Sequence, residues 1–141
     1  MSQTGFASFD TSIQTTNIWM NDLLERLGWT DHHRAYHALR AVLHALRDRL
    51  SVDQAAALAA QFPMLIRGFY YDGWHPHGKP LKERKKEEFL AHVEAAFPKD
   101  VSVDAEAVTR AVFSVVASHV APGEIELIKK TLPAELRSLW A

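Results

Sequence analysis

The sequence contains no cysteine and no long apolar run. Without cysteine the chain can form neither disulfide bonds nor thiolate metal sites, and it offers no thiolate nucleophile. A membrane-spanning helix needs about 18 to 20 consecutive apolar residues, so we expect no contact with a membrane interior. The first residues, MSQTGFASFDTS, lack the basic and apolar regions of a secretory signal. The chain is therefore expected to be cytoplasmic.

A strong charge of either sign is also missing. Sixteen basic and 17 acidic side chains give a formal net charge of −1, so the chain produces no field that would favour nucleic acid or an anionic membrane. Residues Lys82 to Lys86 include four basic side chains. Glu83 lies among them and Glu87 follows them, a mixture of charges that is typical of a solvated helix face. We therefore do not expect nucleic acid as a partner.

The sequence motifs of the common catalytic sites are absent as well. There is no Gly-x-Ser-x-Gly turn for a hydrolase nucleophile. Glycine-rich phosphate loops, dinucleotide-binding fingerprints and His-Glu-x-x-His metal motifs do not occur either. We therefore predict no enzymatic activity and no cofactor.

Apolar residues at helical spacing are what the sequence does contain. The residues from Trp19 to Leu27 predict a helix that starts near Thr15 or Thr16 and ends at Gly28. From Arg34 to Leu50, two adjoining apolar stripes predict a central helix with neighbours on several sides. One stripe comprises Tyr36, Leu39, Leu43, Leu46 and Leu50, and the other Ala35, Ala38, Val42 and Ala45.

Shorter helices should follow this central one. Asp31 should cap the central helix itself, and Ser51 and Pro63 should begin two short helices after it. Beyond the irregular segment, we predict one helix opening at Lys82, one capped by Ser102, and two beginning at Pro122 and Pro133. Residues 1–14 are polar and aperiodic, so we expect an extended N-terminal arm.

One sequence pattern occurs twice in the chain. Each position of the first copy corresponds to a position of the second copy at a constant offset, the spacing from position 40 to position 110. Arg40-Ala41-Val42 recurs as Arg110-Ala111-Val112, and Phe62-Pro63 recurs at the same offset as Leu132-Pro133. We call this spacing the repeat offset. The register holds through several helices without a gap, which indicates an internal duplication.

The repeat predicts the architecture. We expect an all-α fold of two tandem repeats of about 50 residues, each with about four short helices, packed as one pseudo-twofold helical bundle. The single domain, 15–141, would comprise repeats 15–70 and 85–141. A linker, 71–84, rich in aromatic residues, glycine and proline, would join them.

Four segments carry a resemblance to a known family. They are ALRAVL (38–43), FYYDGW (69–74), EFL (88–90) and LPAEL (132–136). With them the chain resembles the bacterial DUF2267 family, a domain of unknown function, over nearly all residues after 15. The resemblance implies a small helical bacterial protein without assigned activity. It supplies no catalytic residues.

Two sets of residues are candidates for a ligand or partner groove. Arg40 and Arg110 occupy the same place in each repeat, where they would form either a paired anion site or, as we favour, separate local contacts. Tyr70, Tyr71 and Trp74 lie in or beside the linker. They would either plug the groove between the two halves, which we favour, or present a surface for binding a protein or small molecule.

The eight histidines are the one compositional oddity. His33 and His37 are one helical turn apart, a spacing that lets two imidazoles bind one metal ion. His75 and His77 in the linker could provide further ligands. The second repeat has Val103 and Ala107 in place of the first pair, so scattered surface histidines are the interpretation we favour.

These observations favour a non-enzymatic binding or interaction module over an enzyme. Its partner, an unknown protein or small molecule, is not identified by the sequence, and a homo-oligomer is left open. The alternative is a histidine-based metal-binding protein, with or without catalysis.

Overall fold

All regular structure in the part of the chain that the structure describes, residues 3–99 and 101–140, is helical in this computed structural model. These described residues form eight α-helices and a closing 3-10 turn: α1 Ala7–Leu27, α2 His32–Arg49, α3 Val52–Ala59, α4 Met64–Tyr71, α5 Lys86–Ala95, α6 Ala105–His119, α7 Pro122–Thr131, α8 Ala134–Arg137 and the turn Ser138–Trp140. The predicted all-α class is confirmed. Residues 1 and 2 of the predicted arm, and 100 and 141 of the predicted second repeat, lie outside the described residues.

Most of the predicted helix ends are confirmed by their local chemistry. Gly28 ends α1 with a φ of 69°, a left-handed conformation that glycine adopts without a steric penalty. The Asp31 side chain caps α2 by accepting hydrogen bonds from the backbone amides of His33 and Arg34. Ser51 caps α3 in the same way through the amide of Gln54. These caps satisfy amides at the helix N-termini that have no partner within the helix.

The predicted extended N-terminal arm is wrong from residue 7 onward, because α1 begins at Ala7 rather than near Thr15. Its early turns are rich in serine and threonine, which are mediocre helix formers. Packing overrides this preference: Ser12 is buried against α4, and its hydroxyl accepts a hydrogen bond of 3.2 Å from the backbone amide of Leu65. Tertiary contact, rather than local propensity, makes this part of the chain helical.

Two later helices, in contrast to α1, begin after their predicted starts. Helix α5 begins at Lys86 instead of Lys82, because the preceding residues are held against the end of α2. The Leu81 amide donates to the Asp48 carbonyl at 2.8 Å, and the Arg49 guanidinium donates to the Glu83 carbonyl at 2.7 Å. Helix α6 is capped by Asp104, whose carboxylate accepts from the Ala107 amide, and not by Ser102.

Helices α2 and α6 lie at the centre of the fold. Helix α2 packs against α1, α4, α5 and α6, and α6 packs against α1, α2, α5 and the 3-10 turn. Leu39, Leu43 and Leu46 of α2 have no exposed surface, and burying each such side chain contributes about 2 kcal/mol. The central position predicted for α2 from its two apolar stripes is therefore confirmed.

Two arginines make matching contacts in the two halves of the chain. The Nε and Nη2 atoms of Arg67 donate to the carbonyls of Ala59 and Phe62, both at 3.0 Å. The same atoms of Arg137 donate to Lys129 and Leu132, at 3.0 and 2.9 Å. Each arginine thus joins the helix on which it lies to the end of the preceding helix.

None of the described helices has the length and hydropathy needed to cross a membrane.

Candidate functional site

His33 and His37 meet on the surface of α2. Their Nε2 atoms are 3.1 Å apart, and the rings are nearly perpendicular with centroids 4.5 Å apart. The Tyr36 ring lies 5.5 Å from the His37 ring and packs edge-on against Phe69. The one-turn spacing therefore brings the two imidazoles together, which was the alternative to the scattered surface histidines that the sequence favoured.

A cavity of about 220 Å³ adjoins this pair of histidines. The Arg34 guanidinium on its wall stacks over Trp29 at 3.9 Å and donates to the Ser102 carbonyl at 3.2 Å. Phe97, Pro98 and Val101 contribute its apolar lining. The lining residues are Asp31, His33, Arg34, His37, Phe97, Pro98 and Val101.

The linker histidines do not complete a metal site with this pair. His75 and His77 are both exposed. Within the described ranges, no three side chains of histidine, aspartate or glutamate converge as metal ligands would. The structure therefore brings together two of the four candidate metal ligands, His33 and His37, and does not bring the linker residues to them.

The candidate linker aromatics divide into a buried ring and a half-buried pair. Tyr70 has no exposed surface, its hydroxyl donates to the Ala55 carbonyl at 2.9 Å, and burial raises its pKa above the ordinary value. Tyr71 and Trp74 are half-buried and stack with centroids 5.4 Å apart. Tyr70 is thus a core residue and cannot belong to an exposed groove.

Side chains of α2 hold the end of α4 and the start of the linker. Arg47 is buried, with its guanidinium donating to the carbonyls of Tyr70 and Asp72 at 2.8 and 3.0 Å and pairing with Asp48 at 2.8 Å. His44 contacts the Phe69 carbonyl through Nε2 at 2.6 Å. The Arg47 bonds satisfy two carbonyls at the end of α4, whereas the Phe69 carbonyl also accepts from the Asp72 amide at 3.3 Å.

The two candidate arginines both have partners within the chain. Arg40 pairs with Asp72 at 2.6 Å, and its hydrogen bond lowers the pKa of that exposed carboxyl. Arg110 donates to Glu106 at 3.0 Å and to the Ser138 carbonyl at 2.9 Å. The Glu106 pKa is lowered, first by Arg110 and then by Lys86. Arg40 and Arg110 therefore make different local contacts, and their guanidinium groups are not directed at a common ligand.

An exposed apolar surface, missed by the sequence analysis, lies where α1 meets α4. We name it the α1–α4 face and define it by Phe6, Phe9, Met64 and Leu65, which are 62%, 46%, 51% and 49% exposed. The Phe6 and Phe9 rings are in contact, with centroids 5.2 Å apart. Phe9 lies one helical turn before Ser12, whose hydroxyl contacts the Leu65 backbone at the start of α4.

A groove of about 450 Å³ runs beside this face. Its α1 wall carries four hydroxyl side chains with the i, i+3, i+4, i+7 spacing of a single helix face. The sequence contains this spacing, but the side chains are polar. An apolar helical stripe is the usual sign of a helix face, so these residues gave no such signal. The lining residues are Ser8, Thr11, Ser12, Thr15, Trp19, Gln61, Phe62, Pro63, Met64, Arg67 and His119.

Comparison with known proteins places the fold in a family. Residues 16–139 match the family of uncharacterised conserved proteins designated DUF2267. The chain belongs to the DUF2267 family. This confirms the resemblance seen in the sequence, and the family description assigns no activity. No curated protein shows significant similarity to the chain. The matched DUF2267 region begins after the first turns of α1, so Phe6 and Phe9 precede it.

Proposed function

We propose that this DUF2267 protein is a non-enzymatic, cytoplasmic interaction module that binds a second copy of its own chain through the α1–α4 face. The observation that carries the proposal is the exposure of Phe6 and Phe9 at the start of α1 and of Met64 and Leu65 at the start of α4, two helices that Ser12 joins. Clustered exposed apolar side chains are typical of surfaces that a partner covers, because leaving them in water is unfavourable.

The charge of this surface favours a second copy as the occupant. Asp10 is the only charged side chain in residues 1–21. Its carboxylate accepts hydrogen bonds from the backbone amide and the hydroxyl of Thr4, at 3.0 and 2.9 Å. In a twofold contact the same patch meets itself, so like charges would repel across it. A nearly uncharged helix face avoids this repulsion.

The corresponding positions of the second half would not support the same contact. At the repeat offset, Ala134 and Glu135 occupy the positions that correspond to Met64 and Leu65. The Glu135 carboxylate accepts a hydrogen bond of 3.3 Å from the Lys86 amide at the start of α5. The apolar surface is therefore confined to the first half of the chain. There α1 has additional turns at its N-terminus, which have no counterpart in α5 at the repeat offset.

We further propose that the two halves arose by duplication and are related by a pseudo-twofold axis. The matching hydrogen bonds of Arg67 and Arg137 support this, as do the prolines that precede α4 and α8. Helix α2 ends before Leu50 and α6 ends before Val120, and these two positions are again separated by the repeat offset. On this proposal the duplicated parts build the core, and the unduplicated start of α1 supplies the binding surface.

Sedimentation equilibrium over a wide concentration range tests the self-association. We expect a monomer–dimer equilibrium for the unmodified chain, and a monomer for the double variant Met64→Gln/Leu65→Gln and for Phe9→Gln. Leu127 is 57% exposed on α7, outside the face, so Leu127→Gln is the matched control and should dimerise as the unmodified chain does.

Two outcomes would contradict the proposal. One is an unmodified chain that stays monomeric up to about millimolar concentration, where even a weak specific contact of about −4 kcal/mol would be populated. The other is a dimer that the Leu127 control weakens as much as the variants of the face do. Circular dichroism of each variant would establish that its helices are intact.

A further inference from the structure

We propose that His33 and His37 bind a first-row divalent transition metal ion through their Nε2 atoms, with the remaining coordination positions open. This goes beyond the proposed self-association and uses residues on a different helix. The observation that supports it is the 3.1 Å distance between the two Nε2 atoms, which places both nitrogens around one point.

That distance is compatible with joint coordination. Metal–imidazole bonds are about 2.0–2.1 Å long, so two neighbouring nitrogens on one ion lie roughly 3 Å apart. Both residues are on α2, one turn apart, so the backbone that carries them is already rigid. An ion could therefore be accepted through small ring rotations.

The proton balance of binding is simple. When neutral imidazoles share a hydrogen bond, one Nε2 donates and the other accepts through its in-plane lone pair, so this hydrogen bond must break before both nitrogens can coordinate. Coordination forms one bond from each Nε2 lone pair, and the proton of the donating nitrogen moves through solvent to Nδ1 of the same ring. No net proton is released from the neutral pair. Acid opposes binding, because protonated imidazoles cannot coordinate.

The charges around the pair partly compensate one another. The positive end of the α2 dipole disfavours a cation near its first turns. The Asp31 carboxylate at the helix cap offsets this effect. Arg34 is the nearest cation in the sequence, but its guanidinium is directed to Trp29 and to the Ser102 carbonyl.

The open positions distinguish this site from a closed structural zinc site. No third histidine, aspartate or glutamate converges on the pair within residues 3–99 and 101–140. The neighbouring cavity of about 220 Å³ leaves room for water or a small ligand on the ion. Imidazole ligands suit Zn²⁺, Cu²⁺ and Ni²⁺, and the Irving–Williams order predicts tighter binding of Cu²⁺ than of the other two.

Calorimetric titration of the untagged protein with Zn²⁺ and with Ni²⁺ tests the site. We expect one ion per chain, and NMR shifts confined to the first turns of α2. His33→Ala and His37→Ala should each weaken binding by at least about tenfold, because each removes the chelate effect. The linker variant His75→Ala/His77→Ala is the matched control and should bind as the unmodified chain does.

The result that would overturn the proposal is an unmodified chain that gives no heat and no shifts at α2. Equal binding by His37→Ala and the unmodified chain would also overturn it, as would loss of binding in the linker variant alone. His33 is exposed and His37 half-buried, so neither substitution should unfold the protein. Titration of Phe9→Gln should match the unmodified chain, which separates this site from the α1–α4 face.

Discussion

Arg67 and Arg137 are separated by the repeat offset, and the pairs of carbonyls to which they donate hydrogen bonds are separated by the same offset. In each half, one guanidinium joins a helix that follows a proline to the end of the helix before that proline. A planar donor with two parallel N–H groups suits this task, because it bridges two acceptors at fixed positions. The pair explains why arginine occurs at both positions.

Replacing either of these arginines should destabilise the fold to a similar extent. We expect Arg67→Ala and Arg137→Ala each to lower the free energy of unfolding by about 1–2 kcal/mol, since each loses two hydrogen bonds at a partly exposed site. Lysine should restore less than half of the loss, because an ammonium group cannot reproduce the fork. Urea unfolding measures this, with the exposed Arg84→Ala as control. A large effect at only one of the two sites would contradict their equivalence.

Arg47 and Arg40 on α2 should differ sharply when replaced by alanine. Arg47 is buried and bonds the Tyr70 and Asp72 carbonyls, so Arg47→Ala should cost about 3 kcal/mol by leaving one buried and one partly buried acceptor unpaired. Arg40 forms a largely exposed pair with Asp72, so Arg40→Ala should cost at most about 1 kcal/mol. Urea unfolding of the two variants in parallel measures the difference, and equal costs would refute this ranking.

His44 should make the stability of the fold depend on pH. Burial lowers its pKa below the ordinary value of 6.5, and this outweighs the opposing effect of its bond to the Phe69 carbonyl. The unfolded chain therefore binds the His44 proton more readily than the folded chain does. The stabilisation is present above the unfolded pKa and is lost as the pH falls through the folded pKa.

Unfolding experiments between about pH 7.5 and about pH 5 measure this effect, since that range spans the ordinary titration of histidine. The stability of the unmodified chain should fall relative to that of His44→Gln as the pH decreases. His32→Gln, at an exposed position, is the control and should keep the slope of the unmodified chain. A parallel decline in His44→Gln and the unmodified chain would show that another group is responsible.

The features of the fold that the sequence predicted correctly are those with a local cause. Gly28, Asp31 and Ser51 fix helix ends through their own backbone freedom or side-chain oxygens. The contact between His33 and His37 has a local cause too, the one-turn helical spacing, although the sequence analysis favoured scattered histidines. Such features depend on a few neighbouring residues, so a single sequence suffices to find them.

The features that the sequence analysis missed depend on contacts between distant residues. The first turns of α1 are helical because Ser12 packs against α4, and neither segment alone indicates this. The late start of α5 depends on bonds from residues 81 and 83 to the end of α2. The α1–α4 face exists only once α1 extends to Ala7, so the mistaken helix start concealed the candidate binding surface.

Disulfide cross-linking between single introduced cysteines is the most direct test of the proposed self-association. The chain has no cysteine of its own, so a variant such as Ser8→Cys, exposed beside the α1–α4 face, carries one thiol. Ala91→Cys, exposed on α5, is the control. We predict that mild oxidation of dilute protein converts Ser8→Cys to a covalent dimer much faster than Ala91→Cys. Equal rates of cross-linking at the two positions would contradict binding through this face.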